Sequence, residues 1–361
     1  MGVMLENIEQ VTPALLTRIF QERGLLAQGE VTAVQASLAD GKHASLIAHL
    51  ELAYSSPYAD ILPERMLLKI SKPGEDKKQS EEAVNNQREV TFYAIRDLAD
   101  TPSLPIPRCY GAGYSQETGG HYVLLEDLSI THAPNKRGEI SPQFLQCQLV
   151  VASLAKIHAY WWGMAQNTTL LERPTEQSIQ SALQKDREKW TRFRDFIGDR
   201  LSPERHAIFE GVGASLPSLL RERLTKEQPI TLIHGEAHFG KVLYPEKAQS
   251  HDIAYILDWR NWRVDMGSCD MAYLLALHWY PERRARMEQD LLRYYYDRLL
   301  TYGVTGYTWD DCWYDYRLAV IRTLYVPVRQ WASEEWAGIW WHNLERIFLA
   351  YQDLACDTLL A

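Results

Sequence analysis

The sequence predicts an α+β fold of two lobes, a small antiparallel β-sheet first and a larger, mostly helical part after it. Three observations predict it. Residues 31–71 break into three β-like runs separated by the turn-like segments DGK and SSPYAD. Residues 104–129 add two more runs around a Gly-rich turn, and from residue 141 onward the chain is mostly helical except for a β-rich island at 229–259. The pattern changes near Glu126, which places an N-terminal lobe at 1–126 and a C-terminal lobe at 127–361, with no internal repeat or low-complexity linker.

Each element has a local reason. Thr12-Pro13 reads as an N-cap followed by Pro at the first helical position, opening a helix over ALLTRIFQERGLL that Gly24 or the following loop ends. The runs VTAVQASLA, HASLIAHLELAY and RMLLKIS are the first three strands. After a Lys-rich loop, EEAVNNQREVTFYAIRDLA carries Phe92, Ile95, Leu98 and Ala99 at helical spacing, and Thr101-Pro102 closes it. LPIPRCYGAGYS and GGHYVLLEDLS complete the sheet, and FLQCQLVVASLAKIHAYWW is the clearest amphipathic helix of the remainder.

Lys and Arg number 38 against 47 Asp and Glu, a formal charge of −9, which argues against a general attraction to nucleic acid or an anionic membrane. The five cysteines are scattered, with no CxxC or Cys/His cluster, so neither a disulfide framework nor a zinc site is expected. MGVMLENIEQ has no basic region leading into an apolar stretch, and no apolar run is long enough to span a bilayer. A cytoplasmic protein with reduced thiols is expected.

The chemistry-bearing residues concentrate in the island and just beyond it. A loop packs His234, Gly235, Glu236, His238, Gly240 and Lys241 together ahead of two strand-like runs, VLY and AYILDW. Asp258 ends the second run, 22 residues after Glu236, and Asp270 opens a helix 12 residues later. A carboxylate on a loop and another at a strand end, joined by a hairpin, can position a base and a metal ligand around a transferring phosphoryl group. Singly, each has a plainer reading, Asp270 as a helix cap and His234 as a hydrogen-bonded loop residue.

With these residues in view, the chain resembles the aminoglycoside phosphotransferase and choline kinase superfamily, including its ecdysteroid-kinase-like branch. That superfamily carries HGDxHxxN, a strand ending in Asp and an aromatic, and an Asp opening the next helix; HGEAHFGK, ILDW and DMAYLL stand in those places. Upstream, MLLKI, QREVTFY, YVLLEDL and LAKIHAYWW match in order. The resemblance implies a protein-kinase-like fold and ATP-dependent transfer of the γ-phosphoryl group to an acceptor hydroxyl. Lys69 would meet the α- and β-phosphates, oriented by Glu89, and the main chain at Glu126, Asp127 and Leu128 would form the hinge against adenine. Asp258 would hold Mg²⁺, a single ion, and His234 and Asp270 would brace the catalytic loop. From the residues alone, a surface strand Lys and a solvated helix Glu is the favoured reading.

Two positions depart from the superfamily pattern. Glu236 replaces the catalytic-loop Asp as the base, with adequate basicity and one methylene more of reach. Lys241 replaces the metal-binding Asn, and an ammonium cannot coordinate a cation; its charge would stand near the phosphates instead. A single glycine, Gly41 in LADGKHAS, occupies the nucleotide-covering turn. These departures leave two alternatives open: a pseudokinase-like binding module, or a different nucleotide-dependent reaction. The resemblance implies a small-molecule acceptor, open between aromatic, apolar and amine-bearing kinds. Trp336 and Trp340 would share a helical face while Trp331 points away, as core packing or as an aromatic wall, and Asp265, Glu334 and Glu335 would attract an amine or form a solvated rim.

Overall fold

The computed structural model describes residues 4–39, 45–55, 62–71, 81–98, 104–135, 142–164, 171–225, 229–247, 249 and 252–360. Among the described residues ten strands follow in chain order: β1 Val31–Leu38, β2 Leu46–Tyr54, β3 Arg65–Ser71, β4 Cys109–Tyr114, β5 His121–Glu126, β6 His132–Ala133, β7 Thr231–Ile233, β8 Val242–Pro245, β9 Tyr255–Ile256 and β10 Arg263–Asp265. The α-helices among the described residues are α1 Pro13–Glu22, α2 Glu81–Leu98, α3 Phe144–Tyr160, α4 Glu176–Ile197, α5 Pro203–Thr225, α6 Ser268–Met271, α7 Pro281–Thr301, α8 Trp309–Thr323, α9 Tyr325–Ala332 and α10 Ala337–Asp353. They divide into two compact units, one of Met1–Pro134, Leu243–Lys247 and Tyr255–Trp262, the other of Asn135–Val242, Ala248–Ala254 and Arg263–Ala361. The segment carrying Asp258 therefore groups with the first unit.

In the first unit, the Thr12 hydroxyl caps α1 by accepting from the Leu15 N–H, with Pro13 at the first helical position. The antiparallel sheet runs β1-β2-β3-β5-β4. Alternation along β3 turns Met66, Leu68 and Ile70 into a core shared with Leu16, Ile19 and Phe20 of α1. Lys69, between them, faces the other side, where it meets Glu89 of α2. β5 is buried on both faces, which explains its near-continuous apolar run. Gly111 is required where β4 passes α1, because a Cβ there would lie 2.8 Å from the Ile19 Cγ2. The expected helix stop at Thr101-Pro102, the Lys-rich loop and the Gly41 turn lie outside the described residues.

The second unit is mostly helical. Its α3 is not the amphipathic helix the sequence suggests: Val150, Val151, Leu154, Ala155, Ile157 and His158 are all buried, because α7 and β7 both pack against it. β7 pairs antiparallel with β10, Asp265 opposite Thr231; three residues long, β10 escapes any periodicity argument. The run AYILDW yields only a two-residue strand, since Asp258 turns into left-handed backbone at φ 65°.

The tryptophan expectation is corrected here. The chain turns between α9 and α10, with Glu334 at φ 60°, and α10 begins only at Ala337, so Trp336 precedes the helix and is 76% exposed. Trp340 is buried and converges with Trp331 on Phe193 and Phe196 of α4. All five cysteines are buried free thiols. No helix among the described residues is long and apolar enough to cross a membrane.

Candidate active site

In the first unit, the Lys69 ammonium is held by three carboxylate oxygens, Glu89 Oε2 and Oε1 at 2.7 and 2.9 Å and Asp258 Oδ1 at 2.9 Å. Glu89 is buried and also contacts His121 Nε2 at 2.8 Å. Burial alone would raise the Glu89 carboxyl, but Lys69 and then His121 outweigh it and hold the group below the ordinary carboxylate range. A second cation, Arg260, joins this cluster. Arg260 donates through Nε to Asp258 Oδ1 at 2.7 Å and through Nη2 to Oδ2 at 3.2 Å.

Two tryptophans place Asp258. Trp259 is fully buried, stacks on Phe92 of α2 and donates its indole N–H to the Ile256 carbonyl. Trp262 donates its indole N–H to the Arg88 carbonyl, also on α2. The short 3₁₀ turn Trp259–Asn261 is thus fixed to the helix that carries Glu89. Both tryptophans belong to the first unit.

At the predicted hinge, Asp127 is committed through its side chain. Its Oδ2 meets His49 Nδ1 at 2.9 Å and Arg65 Nη2 at 3.3 Å, and its Oδ1 accepts from the Ser129 N–H. Burial pushes this carboxyl up, but the bonds from Ser129 and His49 prevail and hold it at about 2. The Glu126 N–H donates to the Arg108 carbonyl, and the Leu128 carbonyl accepts from Thr131 and His132. Those two main-chain groups are therefore already engaged.

The second unit holds the loop after β7. Asp270, fully buried near the start of α6, accepts from the backbone N–H of His234 at 2.7 Å and of Gly235 at 2.8 Å, and from His158 Nε2 at 3.2 Å. Burial opposes ionisation, yet these donors keep its carboxyl below the ordinary value. The sequence pairs His234 with Asp270 as a brace; the bond runs through the His234 main chain, and the imidazole in contact with Asp270 belongs to His158. The His234 ring instead accepts the Glu236 N–H at Nδ1. His158 is further tied to the Tyr295 hydroxyl at 2.8 Å.

Glu236 is thereby set at the loop apex, and Lys241 Nζ reaches its Oε2 at 2.5 Å. Around it stand Tyr273, on the π-helical turn Ala272–Leu277, and two stacked imidazoles, His238 and His278, 5.3 Å apart and 9° from parallel. Burial and the neighbouring Glu236 carboxylate push the Tyr273 phenol up. Burial, then each other's company or nearby cations, push His238 down to about 3, while burial takes His278 down to about 4, so both rings are neutral at pH 7. Burial and the Glu236 charge push the Glu335 carboxyl up.

Asp265 does not form an acidic rim as expected. It is buried between Arg263 and Arg322 at 2.8 and 2.6 Å.

The structure thus gathers Lys69, Glu89 and Asp258 in one cluster, and His234, Glu236, Lys241 and Asp270 in another. Sequence reasoning missed His121, His158, Tyr295 and Arg260. Only Arg260 carried a local signal, a cation two residues from a predicted anionic ligand. The histidines are partners across elements, which spacing does not reveal.

The sheet, its inserted helix and the helical second unit define a protein-kinase-like α+β chain. The chain belongs to the ecdysteroid kinase-like family, whose model matches residues 44–303. An ethanolamine kinase of Plasmodium vivax has the same fold, with a TM-score of 0.52 at 10% identity, covering 89% of this chain and 81% of that one. A choline kinase, LicA, of Streptococcus pneumoniae aligns over 93% of this chain and 98% of its own at 16% identity, with a TM-score of 0.48. A search among curated proteins finds no match.

Proposed function

We propose that this protein is an ATP-dependent small-molecule phosphotransferase that moves the γ-phosphoryl group to an acceptor hydroxyl. The observation that carries this reading is the Lys69 ammonium held between Glu89 and Asp258. A strand lysine with its orientation set by a buried helix glutamate is a prepared cation for nucleotide phosphates. Family membership supports it.

In this reading the acceptor oxygen forms a bond to the γ-phosphorus as the bond to the bridging oxygen breaks, and ADP leaves. Glu236 takes the acceptor proton, and Lys241, bonded to it, holds the carboxylate in one orientation. The neutral rings of His238, His278 and Tyr273 beside Glu236 suit a planar or apolar acceptor surface, with Glu335 as the acidic element an amine would meet. Adenine would rest on hinge main-chain groups other than the Glu126 N–H and the Leu128 carbonyl. The buried free thiols agree with work in a reducing cytoplasm.

Mg²⁺ fits poorly. Both Asp258 oxygens already receive cationic donors, and in the sequence Lys241, an ammonium, takes the position of the superfamily's metal-binding Asn. No step is therefore routed through a metal. The Glu236–Lys241 pair also favours a second reading, a nucleotide-binding module whose base is neutralised.

Calorimetric titration of ATP, followed by a coupled ADP-release screen over hydroxyl-bearing small molecules, separates these. Phosphotransfer requires ATP binding that Lys69→Met abolishes and acceptor-dependent ADP release that Glu236→Gln lowers about 10²-fold or more. Full turnover in Glu236→Gln removes the base assignment. Binding without release from any acceptor supports the binding module, and absent ATP binding overturns both.

A further inference from the structure

We infer that Arg260 is a resident cation of the nucleotide site, a guanidinium held on Asp258 that meets nucleotide phosphate in place of a divalent ion. The inference rests on the nucleotide reading above and adds a residue that the family resemblance does not supply.

The geometry is specific. Two nitrogens of one guanidinium face the two oxygens of one carboxylate, at 2.7 and 3.2 Å, and Lys69 shares the nearer oxygen at 2.9 Å. A Mg²⁺ ion at Asp258 would need an oxygen at about 2.0–2.1 Å, and at Oδ1 it would then lie against both an ammonium and a guanidinium. Like-charge repulsion in a site whose Asp258 side chain is only 19% exposed disfavours that arrangement. Among the contacts described, Lys69 and Arg260 stand against Glu89 and Asp258.

Arg260 cannot simply swing clear by moving its backbone. It sits between Trp259, stacked on Phe92, and Trp262, bonded to the Arg88 carbonyl, so its turn is anchored on both sides to α2. Its side chain stays within reach of Asp258 while remaining 24% exposed, so the guanidinium is reachable from solvent. A planar fork of donors suits phosphate oxygens as well as it suits a carboxylate, and it carries its charge at every working pH. The left-handed backbone of Asp258 is a local cost that an ordinary surface pair would not require.

Calorimetric titration of ADP into the full-length protein, once in EDTA and once in excess Mg²⁺, tests this. The wild type is expected to bind with affinities within about threefold in the two conditions. Arg260→Met is expected to bind at least tenfold more weakly in EDTA and to recover most of the loss with Mg²⁺, because the freed carboxylate can then take the ion. Arg260→Lys, which keeps the charge but loses the fork, should fall between. Wild-type binding that needs Mg²⁺ by tenfold or more overturns the inference and leaves the phosphotransferase reading standing, as does EDTA binding unchanged in Arg260→Met. Absence of ADP binding in both conditions overturns the nucleotide reading itself and the inference with it. The wild-type comparison decides the matter even if Arg260→Met fails to fold.

Discussion

Trp259, one residue from Asp258, lies flat on Phe92, three residues from Glu89, with ring centroids 4.1 Å apart and planes 3° from parallel. This stack fixes the strand-end carboxylate to the helix that orients Lys69. Truncating either ring leaves a cavity in a buried contact, at a cost of about 3–5 kcal/mol. Phe92→Ala is expected to lower the denaturant midpoint accordingly and to weaken ADP binding beyond what Phe92→Leu does. Equal binding in the two variants would show that the stack serves stability alone.

Glu89 serves Lys69 and His121 from a buried position. Glu89→Gln keeps the shape and removes the charge, leaving Lys69 with only Asp258 as an anionic partner among the contacts described. Losing one member of a buried pair costs about 3–5 kcal/mol, and urea denaturation should register a loss of that order together with weaker ATP binding. A stability change under about 1 kcal/mol would mean the pair is solvated and weak.

Asp265 links β10 to α8 through Arg322. Burial raises its carboxyl, but Arg322 and Arg263 outweigh burial and hold it at about 2, below the ordinary 3.8. Its contribution is fully present above about pH 4 and disappears as pH falls through about 2, roughly 2 kcal/mol in all. Stability measured between pH 5 and 2 should fall less steeply in Asp265→Asn, whose stability at pH 7 is already reduced. Parallel curves would remove Asp265 from the acid transition.

His238 and His278 behave in the same direction for a different reason. Both are held neutral by burial, at about 3 and about 4 against an ordinary 6.5. The unfolded chain binds protons that the folded chain refuses, so stability is complete above about pH 6.5 and declines as pH falls toward 4, by about 3 kcal/mol for His278 alone. Denaturant midpoints recorded from pH 7 to 4 should drop in the wild type and flatten in His278→Asn, which retains a donor for the Tyr273 carbonyl. An unchanged slope in the variant would exclude His278 as the cause.

Gly267 admits His158 and Tyr295. A Cβ there would collide with the Tyr295 hydroxyl and lie 3.0 Å from His158 Nδ1. Gly267→Ala is expected to cost about 1–3 kcal/mol through overpacking. Adding Tyr295→Phe, which removes the colliding oxygen, should recover part of the loss. Strict additivity of the two changes would contradict the contact.

The local elements were legible because local patterns encode them. The Thr12-Pro13 cap, the three strands ending at Ser71 and the helix from Glu81 arise from capping chemistry and alternation within a few residues. The motif HGEAHFGK with ILDW and DMAYLL marked the segments that carry the candidate site residues. The three-residue β10 and the break before Ala337 were not legible. A strand so short has no period, and the separation of Trp336 from Trp340 depends on a turn that the pattern of aromatics does not announce.

Residue types and their order along the chain determined the α+β class and set Glu236 and Lys241 where the superfamily pattern has Asp and Asn, while the pairing of Lys69 with Glu89 was implied only by the resemblance. Tertiary structure alone decided which partners the charges take. It gave Glu89 to His121 as well as Lys69, Asp270 to His158 and two main-chain N–H groups, Asp265 to Arg322, and Asp258 to both Lys69 and Arg260. The physical reason is burial: a charge removed from water must be met by whichever donor the packing brings within about 3 Å, and most of these donors come from elements distant in sequence.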